Sequence, residues 1–387
     1  MAKRKRINLA LQGGGAHGAF TWGVLDHLLE QTSVDIGWVS ATSAGAVNAV
    51  AMASGLAEGG PKAAQAKLKA VWAAIYESRV PDLIRLNPLF ASWSASPAAA
   101  NMAKLMSPYD FNPMGLDPLR KLLNDHIDFA QLRAASPIEL MIAATDVSTG
   151  QARYFTRDEM TVEAVLASAC LPVLHHAVEI DGRAYWDGGY SANPGIVRLA
   201  LDSPVGDTLI VMLNATTRQG VPKTAEEIAS ETGRLTFNAP LIRDVEIIAA
   251  VREAEGGFLA RSTRRASRLS PLASHRFHLV EAGRHTSSLP AGSKMKPDWG
   301  LFTYLHGAGR TECYKWLDGA LPSIGRRSTV DLKARFLAPL PSYKLPVLAP
   351  RAPETAPRLE APPANDGAAS QSEPSPIAEK RAGRSLR

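Results

Sequence analysis

The sequence predicts an α/β protein of three layers, with a mostly parallel central sheet between two layers of helices. Three observations carry this. Residues 7–11 form a short apolar run, a glycine-rich turn follows at 12–18, and residues 19–29 place Phe20, Val24, Leu25 and Leu28 near one helical face. Residues 36–50 repeat the order, an apolar strand-like run passing into a small-residue helix with Ser43 at the join. Further apolar runs at 138–145 and 208–214 read as continuously apolar strands, which suits a sheet covered on both faces.

Taken in order, Pro61 opens a helix over 61–78. Residues 80–115 are irregular and carry Leu86, Leu89, Phe90, Trp93, Met102 and Met106; they read either as a loop packed on the core or as an apolar flap over a lipid-binding cleft. A short helix over 117–127 precedes the 138–145 strand, and Asp146 to Gly150 make a hairpin-like turn into a strand at 152–155. Residues 162–169 are helical and stop at Cys170-Leu171-Pro172. Strands at 178–180 and 184–186 flank the turn Asp181-Gly182-Arg183, and Asp187-Gly188-Gly189 follows. After the 208–214 strand, residues 224–264 are strongly helical with an interruption at Asn238-Ala239-Pro240, ending in Arg261, Arg264, Arg265 and Arg268. Residues 276–281 return to the sheet edge and 302–317 form a helix. The expected organisation is a basic tail (1–6), a catalytic domain (7–215), a mainly helical extension packed on it (216–340) and a disordered Pro/Ala-rich tail (341–387).

Composition narrows the class. Of 387 residues, 45% are hydrophobic, ample for a large core, and the net charge is +6. A mild basic excess suits either a solvated surface or contact with anionic membrane. Cys170 and Cys313 are too few for a disulfide framework and suit a reducing compartment. The uncharged windows at 7–25 and 36–57 are long enough to suggest export or membrane spans, but Gly, Ala and Ser dominate them, so they read as buried strand–turn–helix units. A cytoplasmic protein, peripheral at a membrane, is expected.

The chemistry concentrates in three blocks. Ala41-Thr42-Ser43-Ala44-Gly45 has the form of a nucleophile elbow, in which small neighbours let a serine sit in a cramped strand-to-helix turn. Ala41 stands where such elbows usually have glycine, adding one methyl group. Gly13, Gly14 and Gly15 present backbone amides next to a helix start, an anion cradle that fits an oxyanion hole. Gly13, Gly15 and Gly18 also satisfy a dinucleotide fingerprint, but the next strand ends in Ala41-Thr42-Ser43 with no ribose-binding acid. Asp187 at a strand end, followed by Gly188 and Gly189, is little covered by its own chain and could serve a hydroxyl as base. His175 and His176 raise a Ser-His-Asp triad, though a carboxylate base leaves imidazole no task, and a loop or packing role is expected of them. No zinc or calcium spacing is present, so no metal and no cofactor are expected.

In this order and spacing, Gly13-Gly14-Gly15-Ala16-His17-Gly18, Ala41-Thr42-Ser43-Ala44-Gly45 and Asp187-Gly188-Gly189 resemble the patatin-like phospholipase family, helped by Ala144 to Gly150 and Ala167 to Pro172. The resemblance covers about residues 7–215. It implies a patatin-like three-layer fold, Ser43 as nucleophile, Asp187 as its partner in a dyad, and an oxyanion hole from the amides of Gly13, Gly14 and Gly15 with Ala44. His17, Gly18, Ala41, Gly45, Gly188 and Gly189 would support these blocks; His17 stands where many members carry Arg or Lys. The implied activity is hydrolysis of lipid acyl esters, of phospholipase A type. Thioesters or storage polyesters are rival substrates, and a non-catalytic nucleotide- or membrane-binding protein is the rival class. Nucleic acid is not expected as a partner, and the sequence leaves the oligomeric state open.

Overall fold

Strand β1 (Lys5–Leu11) is buried from Ile7 onward, apolar there except for Asn8, and lies at the middle of the sheet. The computed structural model describes residues 4–78, 107–217, 220–256 and 269–337. Of the irregular segment expected over 80–115, residues 107–115 are described and include a short helical turn at Pro108–Phe111; the rest of it, the arginine cluster at 261–268 and the tail beyond 341 lie outside these residues. On one side of β1 run β2 (Val34–Thr42) and β3 (Glu139–Asp146), and on the other β7 (Asp207–Met212) and β8 (Arg276–Glu281), all parallel. The antiparallel strands β4 (Ala152–Thr156), β5 (Val178–Ile180) and β6 (Arg183–Asp187) gather at the β3 edge. The sheet is therefore mixed but mostly parallel.

Alternation along the strands divides the core in two. Leu140, Ile142 and Ala144 of β3, with Leu209, Val211 and Leu213 of β7 and its end, join one apolar cluster; Met141, Ile210 and Met212 join the other. The first cluster is closed by α1 (Gly18–Leu29), α2 (Ala44–Ser78), α3 (Pro118–His126), α4 (Phe129–Ala135), α5 (Val162–Ser168) and α8 (Trp299–Ala320). The second is closed by α6 (Ile196–Asp202) and α7 (Ala225–Gly256). A sheet buried on both faces by helices is the expected three-layer α/β/α arrangement. The two windows that imitate membrane spans are interior units of it, and no helix among the described residues is long and apolar enough to cross a membrane.

Two boundaries differ in an instructive way. Helix α2 runs on into the segment expected to start at Pro61, but it breaks at Gly59 and Gly60, where Gly60 has φ +74°. The interruption expected at 238–240 is absent: α7 passes through Pro240. Proline removes one helical N–H, which costs the Thr236 carbonyl its donor, while the apolar residues beyond it, Leu241, Val245 and Ile248, are buried in the second core cluster.

Candidate active site

The site follows from the way β3 is shared. β4 pairs with β3 over Met141–Thr145, overlapping both the β2 register (through Ala143) and the β6 register (from Ala144). A strand has two edges, so β2 and β6 occupy the same one, end to end. Thr42 pairs with Ala143 and Asp187 with Ala144, which brings residue 43 and Asp187 together across 144 residues of chain. The β5–β6 hairpin that delivers Asp187 turns on Asp181 and Gly182, both at positive φ, the pattern of a two-residue type I′ turn.

Ser43 has φ +55°, one of the two non-glycine residues at positive φ among those described. Such a conformation costs about 1–3 kcal/mol and persists only where surroundings over-determine it. Here the Ser43 N–H donates to Ser168 Oγ at 2.9 Å, its carbonyl accepts from Val47 N–H at 3.1 Å as α2 begins, and Thr42 Oγ1 donates to the Ala192 carbonyl at 2.7 Å. Ser43 and Ala44 stay half-buried between buried neighbours. Ala41 sits inside β2, fully buried in the first core cluster, so its methyl group packs in the core instead of crowding the turn. Gly45 backs onto the Leu11 carbonyl and Gly18 onto Ala44.

Asp187 is fully buried. Its N–H donates to the Cys170 carbonyl at 2.7 Å and its carbonyl accepts from Thr145 Oγ1 at 2.8 Å. Oδ1 accepts from the Gly189 N–H at 2.7 Å, while Oδ2 has no partner at hydrogen-bonding geometry. Burial pushes the carboxyl up to about 7, moderated by the Gly189 amide and by the nearby Ser43 hydroxyl. The hydroxyl is thus close enough to favour the carboxylate without closing a bond to Oδ2. Gly188 lies against the Ala143 carbonyl, completing the tight passage from β6.

The glycine turn wraps the other side. A Cβ at Gly13 would stand 2.8 Å from Ser43 Cβ, so only glycine lets the two backbones approach. The Gly13 N–H is committed to Asn193 Oδ1 at 2.7 Å and does not face outward. Gly14 and Gly15 are part-exposed and exposed, and they open a 3₁₀ turn (Gly15–His17) whose first amides have no partner within it. Gly15 has φ +56° and fits beneath the Lys294 carbonyl, 2.3 Å from where a Cβ would be. His17 is buried, its Nε2 2.8 Å from Ser293 Oγ; burial, aided by Lys294, lowers its pKa to about 3, so the ring is neutral.

Four residues beyond the predicted set hold this arrangement. Asn193 braces Gly13 and, through Nδ2, the Phe237 carbonyl of α7. Gln12, fully buried, accepts from the Leu213 and Asn214 amides and donates to Asn238. Ser168 holds the elbow amide, and Lys294 covers Gly15. The Asn-Pro dipeptide soon after Asp187 and the Ala167 to Pro172 block were the available signals for Asn193 and Ser168; Gln12 and Lys294 had none. Asp146 is a turn residue, accepting from the Ser148 and Thr149 amides. His176 stacks on Tyr109 at 4.0 Å, and no histidine among the described residues is hydrogen-bonded to Asp187. Among the same residues, no cluster of three His, Cys, Asp or Glu side chains could hold a metal.

Comparison with known proteins bears on the same stretch. Residues 9–200 match the family model described as patatin-like phospholipase, and lipid acyl hydrolysis is the general chemistry of that family. No curated protein matches the chain in sequence. Among solved structures, VipD from Legionella pneumophila aligns at 15% identity with a TM-score of 0.39, over 81% of this chain and 67% of that one. Full-length ExoU from the type III secretion system of Pseudomonas aeruginosa, in complex with SpcU, aligns at 15% identity with a TM-score of 0.26, over 86% of this chain and 77% of that one. The chain belongs, through residues 9–200, to the patatin-like phospholipase family.

Proposed function

We propose that the protein is a serine acyl-ester hydrolase of phospholipase A type, working through a Ser43–Asp187 dyad. One observation carries the reading: a fully buried carboxylate with an unpartnered Oδ2 lies beside the hydroxyl of a serine held at positive φ. A pKa near 7 suits a general base at neutral pH. In the reaction, Asp187 takes the Ser43 proton as Oγ attacks the ester carbonyl. The amides of Gly14 and Gly15, with that of Ala44 at the start of α2, donate to the oxygen that becomes negative. Gly13 braces the loop through Asn193 and contributes no donor. Asp187 returns the proton to the leaving alcohol, and the acyl group stays on Ser43. Water, deprotonated by Asp187, then attacks the acyl-enzyme; the carboxylic acid leaves and Ser43 recovers its proton.

The substrate class follows from the family and not from the dyad, which would serve any acyl ester. The same reading assigns residues 7–215 as the catalytic domain and the remainder as an extension that carries β8 and the Lys294 segment. It also places the enzyme at the periphery of membranes in the cytoplasm. The test is labelling with an uncharged fluorophosphonate. Wild type is expected to label at Ser43, and Ser43→Ala and Asp187→Asn to fold and remain unlabelled. A folded wild type that resists the probe would sink the proposal.

A further inference from the structure

The glycine turn has a second side. Away from Ser43, Gly14 rests on Leu213 and Gly15 lies beneath Lys294, and there a cleft of about 670 Å³ opens, lined by His17, Asn214, Arg234, Ser293 and Lys294 among others. Its cations are not equivalent. Arg234 is forked onto Glu231 and bonded to the Ala215 and Thr216 carbonyls. Glu227, also on the wall, accepts from the Lys223 and Thr224 amides ahead of α7. Lys294 donates to the Asn214 side-chain oxygen, and no carboxylate among the described residues pairs with it. An ammonium has three donors, so two remain.

A cation held mostly out of water without a counter-charge is costly, and its amine is accordingly lowered to about 8 by burial and by Arg234. Beside it, His17 is 3% exposed and its Nδ1 has no hydrogen-bond partner. The neutral ring accepts at Nε2 when Ser293 donates, and Nδ1 then carries an unused N–H. An ammonium without a counter-charge and an imidazole Nδ1 without a partner, on the wall of one cleft, are both satisfied by the same thing, a group of anionic oxygens.

We propose that this cleft is a subsite for an anionic oxygen group, phosphate or carboxylate, carried by the ester substrate, with Lys294 as its cationic anchor and His17 as a further donor. The inference rests on the hydrolase reading and sharpens it: acidic lipids would be preferred because the headgroup is held across the glycine turn from the acyl carbonyl. Lys294 and Ser293 lie outside the family-matched stretch, so the preference would belong to this chain.

The experiment uses the full chain and mixed micelles of phosphatidylglycerol or diacylglycerol. The quantity read is the ratio of kcat/KM for the acidic lipid over the neutral one, which normalises each variant to its own chemistry. Lys294→Met is expected to lower this ratio roughly 10- to 100-fold, the usual worth of a hydrogen bond to a charged group, and Lys294→Arg to keep most of it. Inorganic phosphate is expected to compete with phosphatidylglycerol in wild type and not in Lys294→Met. An unchanged ratio in Lys294→Met overturns the proposal, even if phosphate binds, since the cleft would then serve a free anion. Should Lys294→Met fail to fold, the wild type decides: absence of phosphate competition overturns it. Loss of Ser43 labelling in wild type would instead strike the hydrolase reading itself.

Discussion

Asp187→Asn should disable the enzyme and stabilise the protein, and both effects can be sized. Asparagine keeps the shape of the side chain and can still accept from the Gly189 amide at Oδ1. It cannot accept a proton, so the rate should fall by roughly 10²–10⁴-fold, the usual worth of a general base. The stability effect comes from burial. Asp187 is fully buried and its carboxyl lies at about 7, against 3.8 for the unperturbed group. In the window from about pH 4 to pH 7 the folded state therefore holds a proton that the unfolded state has lost. Stability must fall as pH rises through that window and then level off. A gap of about three pH units, at 1.36 kcal/mol each, sets the ceiling near ~4 kcal/mol. Asparagine has no charge to desolvate, so the variant should be more stable than wild type above pH 7 by about 2–4 kcal/mol and indistinguishable in slope below pH 4.

The assay is denaturant unfolding of both proteins from pH 4 to pH 8, taking the difference between them at each pH. Subtraction removes groups with the opposite sign, such as Asp207, whose carboxyl is held far below its usual range by His278 and Arg276 despite its burial. Curves that remain parallel across the window, or an Asn variant weaker than wild type at pH 8, would refute the claim that Asp187 is a buried carboxylate held near neutrality.

Activity itself should trace the same group: with Asp187 required as carboxylate, kcat/KM should rise through about pH 7 and stand at about a tenth of its plateau near pH 6. A profile flat from pH 5 to pH 8 would exclude it as the base. Ser168→Ala leaves the Ser43 amide without its 2.9 Å acceptor, which should cost about 1–3 kcal/mol and slow Ser43 labelling; unfolding and labelling unchanged together would show that another group holds the elbow. Gly15→Ala must place a methyl group 2.3 Å from the Lys294 carbonyl at φ +56°, so about 1–3 kcal/mol of stability and most of the labelling should go, as denaturant midpoints and probe kinetics would report.

Much of this was legible in the chain because each motif is local. A serine between small residues, a triple glycine and an Asp-Gly-Gly each depend on a few neighbours, and the sheet betrays itself by apolar runs between helical stretches. What the sequence hid is what depends on contacts far along the chain. Gln12 reads as an ordinary polar residue of a turn, yet its two side-chain atoms tie β1 to the Leu213 and Asn214 amides and to Asn238. Pro240 reads as a helix break, yet α7 continues through it, with Leu241, Val245 and Ile248 beyond the proline buried in the second core cluster. Ala41 reads as a flaw in the elbow only until its methyl group is found in the core.

The same distinction explains how the proposed Ser43–Asp187 pair comes together from residues 144 positions apart. β2 stops at Thr42, and the edge of β3 beyond Ala143 is left unpaired. An unpaired sheet edge inside a core is costly, so another strand must fill it. Filling it from the opposite direction makes the incoming strand finish where β2 finished, and its last residue is Asp187. The meeting of serine and carboxylate is thus a consequence of satisfying backbone hydrogen bonds on one edge of β3. A substitution that weakens the β5–β6 hairpin, far from any catalytic atom, should therefore act on Ser43 reactivity. Gly182 has φ +74° in the two-residue turn, and Gly182→Val places a β-branched side chain where L-residues are strained. Open space surrounds it, so no clash confuses the result. Labelling of Ser43 should slow in proportion to the loss of hairpin protection measured by hydrogen exchange at β6; protection lost without any change in labelling would mean that Asp187 is held by its own turn and not by the strand.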